Sequence, residues 1–125
     1  MRVLRLDHLV LTVASIAKTV EFYKALGFEP VTFGEGRTAL AFGHHKINLH
    51  QTDRTFEPKA KSPMPGSADL CFVVASLADA KMAFDRAGVA LEEGPVRRTG
   101  ALGPIQSLYI RDPDGNLLEF SEYEA

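Results

Sequence analysis

The sequence predicts an α+β fold, two tandem β-α-β-β-β modules forming a curved mixed sheet around a central cavity. Three observations lead there. Strand and helix patterns occur twice in the same order. The second copy follows the first at an offset of 61 residues, and residues 52–66 between them are rich in proline and polar side chains. At that offset Leu9 falls on Leu70, Val13 on Val74, Ala14 on Ala75, Ser15 on Ser76, Ala17 on Ala78 and Gly27 on Gly88. Caps, breakers and element order coincide together, as in an internal duplication. The expected organisation is a first module over 1–51, a linker or surface arm over 52–66 and a second module over 67–125, together one domain.

Each element has its own signal. "LDHLVLTV" alternates, with Leu9, Leu11 and Val13 on one face and His8, Val10 and Thr12 on the other. "SIAKTVEFYKALG" reads as a helix: Ser15 caps it, Ile16, Val20, Tyr23 and Leu26 recur at helical spacing, and Gly27 stops it. "FEPVTF", "RTALAF" and "KINLHQ" follow as strands separated by glycine turns. After the arm, "ADLCFVV" is a strand. "SLADAKMAFDRAG" is a helix capped by Ser76 with Asp79 and ended by Gly88. "VALEEGPV", "IQSLYIRD" and "NLLEFSEY" supply three more strands, with a loop expected over "GPVRRTGALGP", residues 94–104.

Composition excludes several classes. Hydrophobic residues are 46% and charged residues 24%, enough apolar material for a core, and the net charge is −2, with no basic run to attract nucleic acid or an anionic membrane surface. No apolar stretch approaches the roughly 20 residues that span a bilayer. Asp7 and His8 interrupt the N-terminal apolar run, so no signal peptide is expected. Cys71 is the only cysteine, which suits a reducing compartment. The expected location is the cytoplasm.

Strand parity then sorts the polar residues. One helix covers one face of each sheet, so the other face is left for a ligand or the twin module. Packing Leu9, Leu11 and Val13, Ile47 and Leu49, Leu70, Phe72 and Val74, and Leu118 and Phe120 against the helices puts His8, Asn48, His50, Asp69 and Glu119 on the opposite faces. Tyr109, with Ser107 and Arg111, is placed on that face too. Four strands thus each present a metal-capable group: His8, His50 or Asn48, Asp69 and Glu119. Imidazole with carboxylate suits Zn, Ni, Mn or Fe(II) better than Ca or Mg, and a mixed site with open positions is catalytic in character. The competing expectation is that each is an ordinary polar residue facing water, and that Arg97 and Arg98 are solvated charges.

"LDHLVLTV" with "FYKALGF", the duplication and "RDPDGNLLEF" resembles the vicinal oxygen chelate superfamily over nearly the whole chain. That superfamily includes glyoxalase I, fosfomycin- and bleomycin-resistance proteins and extradiol dioxygenases. "KINLHQ", "PGSADLCF" and the segment through "RDPDGN" look like the glyoxalase-domain-containing subgroup related to a bacterial virulence-associated protein. The resemblance implies a divalent metal bound by His8 and Glu119, with Glu119 also the candidate proton carrier. The ligand that opens the second module is usually a histidine, and here that position is Asp69. The remaining ligand aligns nearest Asn48, with His50, the stronger donor, preferred. Tyr109, Arg98 and Asn48 are the expected substrate contacts, Arg98 from a loop closing over an anionic group.

Three functions follow as expectations. The first is a metal-dependent glyoxalase-type lyase or isomerase acting on a small oxygenated or thiol-conjugated substrate by bidentate chelation. The second is an extradiol dioxygenase or thiol transferase, disfavoured by the missing second-module histidine. The third is a non-catalytic, antibiotic-sequestering protein. A homodimer is expected from the resemblance.

Overall fold

The computed structural model describes residues 1–125. Its elements run β1 (His8–Val13), α1 (Ile16–Ala25), β2 (Glu29–Phe33), β3 (Arg37–Phe42), β4 (His45–Gln51), β5 (Asp69–Val73), α2 (Leu77–Ala87), β6 (Glu93–Gly100), β7 (Gly103–Arg111) and β8 (Leu117–Tyr123). The two β-α-β-β-β modules expected from the repeat are present. Each builds its own four-stranded mixed sheet, ordered β1-β4-β3-β2 and β5-β8-β7-β6. The chain divides into two compact units, Met1–Pro65 and Gly66–Ala125.

In the first unit β1 pairs parallel with β4, while β3 runs antiparallel to both β4 and β2. Of the helix-side residues read from parity, Leu11, Val13, Ile47 and Leu49 are buried, together with Leu40, Tyr23 of α1 and Phe28, while Leu9 is half-buried. Ser15 accepts the Lys18 N–H at 3.2 Å, as a cap should. The helical recurrence is read less well. Tyr23 is buried, but Thr19 joins it, whereas Ile16, Val20 and Leu26 are only half-buried. Residues 52–66 hold no strand or helix, only a bridge between Gln51 and Arg54. Phe56 of this arm packs on its own unit, with its ring centre 5.4 Å from His50 and 4.5 Å from the Arg37 guanidinium carbon.

The second unit repeats the plan. β5 pairs parallel with β8, and β7 is antiparallel to β8 and β6. Phe72, Phe84, Leu108, Ile110, Leu118 and Phe120 are buried, with Phe120 tilted against Phe72 and edge-to-face with Phe84. Ser76 accepts the Asp79 N–H at 3.1 Å, and Gly88 ends α2 with φ +69°. Two equivalent side chains close the helix starts. Gln51 accepts the Ile16 N–H in the first unit, and Glu122 accepts the Leu77 N–H in the second.

One expectation is corrected here. Residues 94–104 are not a free loop, because β6 runs Glu93–Gly100 and turns through Ala101 and Leu102 into β7. The strand lies later than "VALEEGPV" suggested, and a bulge between Glu93 and Val96 shifts its register against β7. Gly94 makes that bulge possible: its φ is +117°, and a Cβ there would lie 2.4 Å from the Ser107 carbonyl oxygen.

The turn before β8 is tightly made. Asp112 Oδ1 accepts the N–H groups of Asp114 and Asn116 at 2.9 and 3.0 Å, and its Oδ2 accepts Asn116 Nδ2 at 2.8 Å. Asn116 Oδ1 in turn accepts the Ala68 N–H at 2.8 Å, and the Leu117 N–H reaches the Ala68 carbonyl at 3.1 Å. The "DPDGN" segment therefore fixes where β8 starts and how it pairs with β5.

Candidate functional site

Register shows which polar residues are equivalent between the units. Val10 pairs with Asn48 in the first sheet, and Cys71 with Glu119 in the second. His8 and Asp69 each stand two residues before those partners. Asn48 is thus the counterpart of Glu119, and His50, opposite Thr12, is the counterpart of Ser121, opposite Val73. Gln51 and Glu122, which cap the two helices, keep the same correspondence.

This placement separates His50 from His8. His8 lies four residues before Thr12 on β1, about 13 Å along the strand from the level of His50, while Asn48 is half as far. His50 is also engaged. Arg37 Nη2 lies 3.3 Å from His50 Nε2, and the Phe56 ring meets the imidazole edge to face. A guanidinium only donates, so Nε2 is the acceptor and is not open to a metal. The preference for His50 over Asn48 is therefore not supported by the register. Asn48 is 5% exposed, and its Oδ1 is buried with no hydrogen-bond partner. His8 is half-exposed, and its Nδ1 lies 2.7 Å from Asp7 Oδ2, which orients the ring and leaves Nε2 outward of that bond.

In the second unit Glu119 sits in the middle of β8 on the face turned away from α2. Ser107 Oγ donates to Glu119 Oε2 at 2.6 Å and Ser121 Oγ to the same oxygen at 3.2 Å, while the two hydroxyls lie 2.7 Å apart. Both serines are fully buried. Both serine bonds fall on Oε2, and the Tyr109 phenol and Cys71 thiol also lie within interaction distance of the carboxylate. Cys71, facing Glu119 across the parallel pair, has its Sγ 3.3 Å from Ser121 Oγ. Burial pushes this thiol above its ordinary value, the Ser121 bond opposes that, and the Glu119 charge adds to it, so Cys71 stands as a protonated donor rather than a nucleophile. Asp69 is exposed, two pairs further along, opposite Leu117.

Tyr109 pairs with Glu119 in the β7–β8 register, as parity indicated. Arg98 Nε donates to Tyr109 Oη at 3.1 Å and Nη2 reaches Glu93 at 3.4 Å. Burial is the main cause holding the Tyr109 phenol above its ordinary value, against the Arg98 bond, so the phenol keeps its proton at neutral pH and can donate it. Arg97 pairs with Glu124 at 3.1 Å. Both arginines are exposed, each in a surface ion pair, and both line a surface hollow of about 310 Å³ with Thr99, Gly103 and Pro104.

In neither unit do three His, Cys, Asp or Glu side chains gather at metal-holding distances. Ser107 and Ser121 were not singled out by sequence as supports for Glu119. Their signal is the shared parity of Ser107, Glu119 and Ser121, which becomes readable once the β7–β8 register is known.

One consequence of the His50 environment is a stability change with pH. Burial first, then the Arg37 charge, holds its imidazole below the ordinary 6.5. The unfolded chain takes up a proton near 6.5 that the folded chain refuses. This contribution is full above about pH 6.5 and is lost as the pH falls through the depressed folded value. The denaturant midpoint is expected to be lower at pH 5.5 than at pH 7.5, with His50→Gln narrowing the difference.

The fold agrees with comparison to known proteins. The chain belongs to the Glyoxalase/Bleomycin resistance protein/Dioxygenase superfamily, whose model matches residues 5–120. It is 57% identical to the glyoxalase domain-containing protein RDO1 of Mycosarcoma maydis, over 95% of this chain and 68% of that protein. It is also 57% identical to virulence protein STM3117 of Salmonella typhimurium, over 95% of this chain and 84% of the relative. The crystal structure of STM3117 superposes with TM-score 0.97 at 55% identity, covering 99% of this chain and 100% of that one. The fold alone is shared with lactoylglutathione lyase from Agrobacterium tumefaciens, with TM-score 0.69, 23% identity and coverage of 94% and 92%. It is likewise shared with TnmS3, an antibiotic binding protein from Streptomyces sp. CB03234, with TM-score 0.78, 19% identity and coverage of 99% for both chains.

Proposed function

We propose that the chain is a divalent-metal-dependent lyase or isomerase of the glyoxalase type, acting on a small oxygenated or thiol-conjugated molecule. The observation that carries the reading is the Glu119 carboxylate, fixed through Oε2 by two buried serines. A carboxylate so held resembles a metal ligand with its outer shell in place. Taken each by itself, the first unit presents His8, oriented by Asp7, and the unpartnered Asn48 Oδ1, and the second presents Glu119 and Asp69. Carboxylate and imidazole donors of these kinds suit Mn, Fe, Ni or Zn. A bound ion would supply Lewis acidity to neighbouring oxygens of a substrate. Glu119 can move a proton and Tyr109 can donate a hydrogen bond to substrate. Membership of the superfamily supports small-molecule binding but does not choose the substrate, since the fold serves both a lyase and an antibiotic binder.

Asp69, where the superfamily pattern has a histidine, favours one other reading: a protein that holds a small molecule without transforming it. Turnover separates the two. The metal-supplemented chain is assayed on methylglyoxal with glutathione, with catechol and fosfomycin alongside. Turnover in the first assay that Glu119→Gln abolishes supports the lyase; ligand binding without turnover in any assay supports the binder. We also read the protein as a cytoplasmic homodimer, a state that sedimentation velocity measures. No helix is long and apolar enough to cross a membrane.

A further inference from the structure

On the first sheet, Phe33, Arg37, Lys46 and His50 share one face by register, away from α1. The Arg37 guanidinium lies between two rings, 4.9 Å from the centre of Phe33 and 4.5 Å from that of Phe56. Lys46 Nζ sits 3.7 Å from the Phe33 ring centre. Neither cation has a carboxylate within salt-bridge distance, and the nearby acid Glu57 is paired with Lys59.

The hydrogens sharpen this. Arg37 donates from Nη2 to His50 Nε2, so the neutral imidazole carries its proton on Nδ1. His50 is 2% exposed, and that Nδ1–H has no acceptor; Arg37 Nε–H is buried and has none either. Two N–H donors beside an uncompensated guanidinium are thus left without acceptors, which is costly unless something completes them. A ligand that completes both at once beside the guanidinium is best an anion with two acceptor oxygens. The flanking rings favour an apolar body over a hydrated one, and a stacked guanidinium favours a planar acceptor.

We propose that Arg37 and His50, flanked by Phe33 and Phe56, form a subsite for the carboxylate of a small molecule with an apolar or aromatic body. Phe56 packs against both residues from an arm with no strand or helix of its own, held near its start by the Gln51–Arg54 bridge and the Thr52 N–H to Val13 carbonyl bond, so the ring is the group a ligand displaces. The subsite rests on the reading of the protein as a small-molecule binder and adds the ligand's chemical class; it does not require the metal.

The test titrates the full chain with benzoate and, separately, with inorganic phosphate, followed by calorimetry and by the imidazole resonances of His50. Saturable benzoate binding is expected, weakened about tenfold or more by Arg37→Gln and by Arg37→Lys, which keeps the charge but loses the fork. Thermal melts show whether each variant is folded. Metal content is measured on the same samples: lost benzoate binding with unchanged metal supports the subsite independently of the metal reading. Binding by a chain that holds no metal also supports it, and overturns only the proposed lyase. Absence of saturable benzoate binding, phosphate binding tighter than benzoate, or affinity unchanged in both Arg37 variants overturns the subsite.

Discussion

Asp112→Ala is expected to lower the stability of the chain by about 3 kcal/mol or more, measured by denaturant unfolding at neutral pH. Asp112 is 6% exposed and accepts hydrogen bonds from the Asp114 and Asn116 backbones and from the Asn116 side chain. Hydrogen bonds to a charged acceptor contribute roughly 1.5–3 kcal/mol each, and truncation leaves their donors unpaired. The effect does not stop at the turn. Asn116, 1% exposed, holds the backbone of Ala68, so losing its anchor loosens the start of β5 against β8. A slip of one residue there would turn Glu119 from its own face to the α2 face. Asp112→Asn, which keeps one acceptor oxygen, is expected to retain part of the stability. Equal losses in both variants would show that the charge, not the geometry of the turn, is what matters.

Glu119→Gln is expected to weaken divalent-metal affinity by more than about a hundredfold, read by competition with a coloured chelator. Glutamine keeps the shape and one carbonyl oxygen but removes the charge. Its amide must also find acceptors beside Ser107 and Ser121, where the carboxylate found donors. Ser107→Ala removes the 2.6 Å bond alone and is expected to cost about 10–100-fold, the range for loss of an outer-shell partner. Ser107→Ala leaving affinity unchanged would mean the serines stabilise the fold without orienting the carboxylate.

The paired modules were legible because the signals that mark them are local. Ser15 and Ser76 cap the helices, and Ile47, Leu49, Leu118 and Phe120 alternate cleanly into the two cores. Parity was enough to put Glu119, Ser121 and Tyr109 on one face. It was not enough for the first-unit donor, because Asn48 and His50 have the same parity and chemistry alone favours imidazole. The 61-residue offset pairs His8 with Asp69 but not β4 with β8, whose offset is 71, since the second unit has a longer hairpin and turn. Only hydrogen-bond register, with Gln51 and Glu122 capping equivalent helices, makes Asn48 the counterpart of Glu119. The hairpin at β6–β7 was hidden for a related reason. Gly94, Pro95, Gly100 and Gly103 read as loop residues, yet here they form a bulge and a tight turn inside a long two-stranded ribbon.

Whether Glu119 serves a divalent metal is read by elemental analysis of tag-free protein. About one divalent transition-metal ion per chain, retained through gel filtration, is expected, together with its loss in Glu119→Gln while that variant remains folded. A wild-type chain that takes up no ion from Mn, Fe, Ni or Zn, or an ion that persists at full stoichiometry in Glu119→Gln, rules that role out.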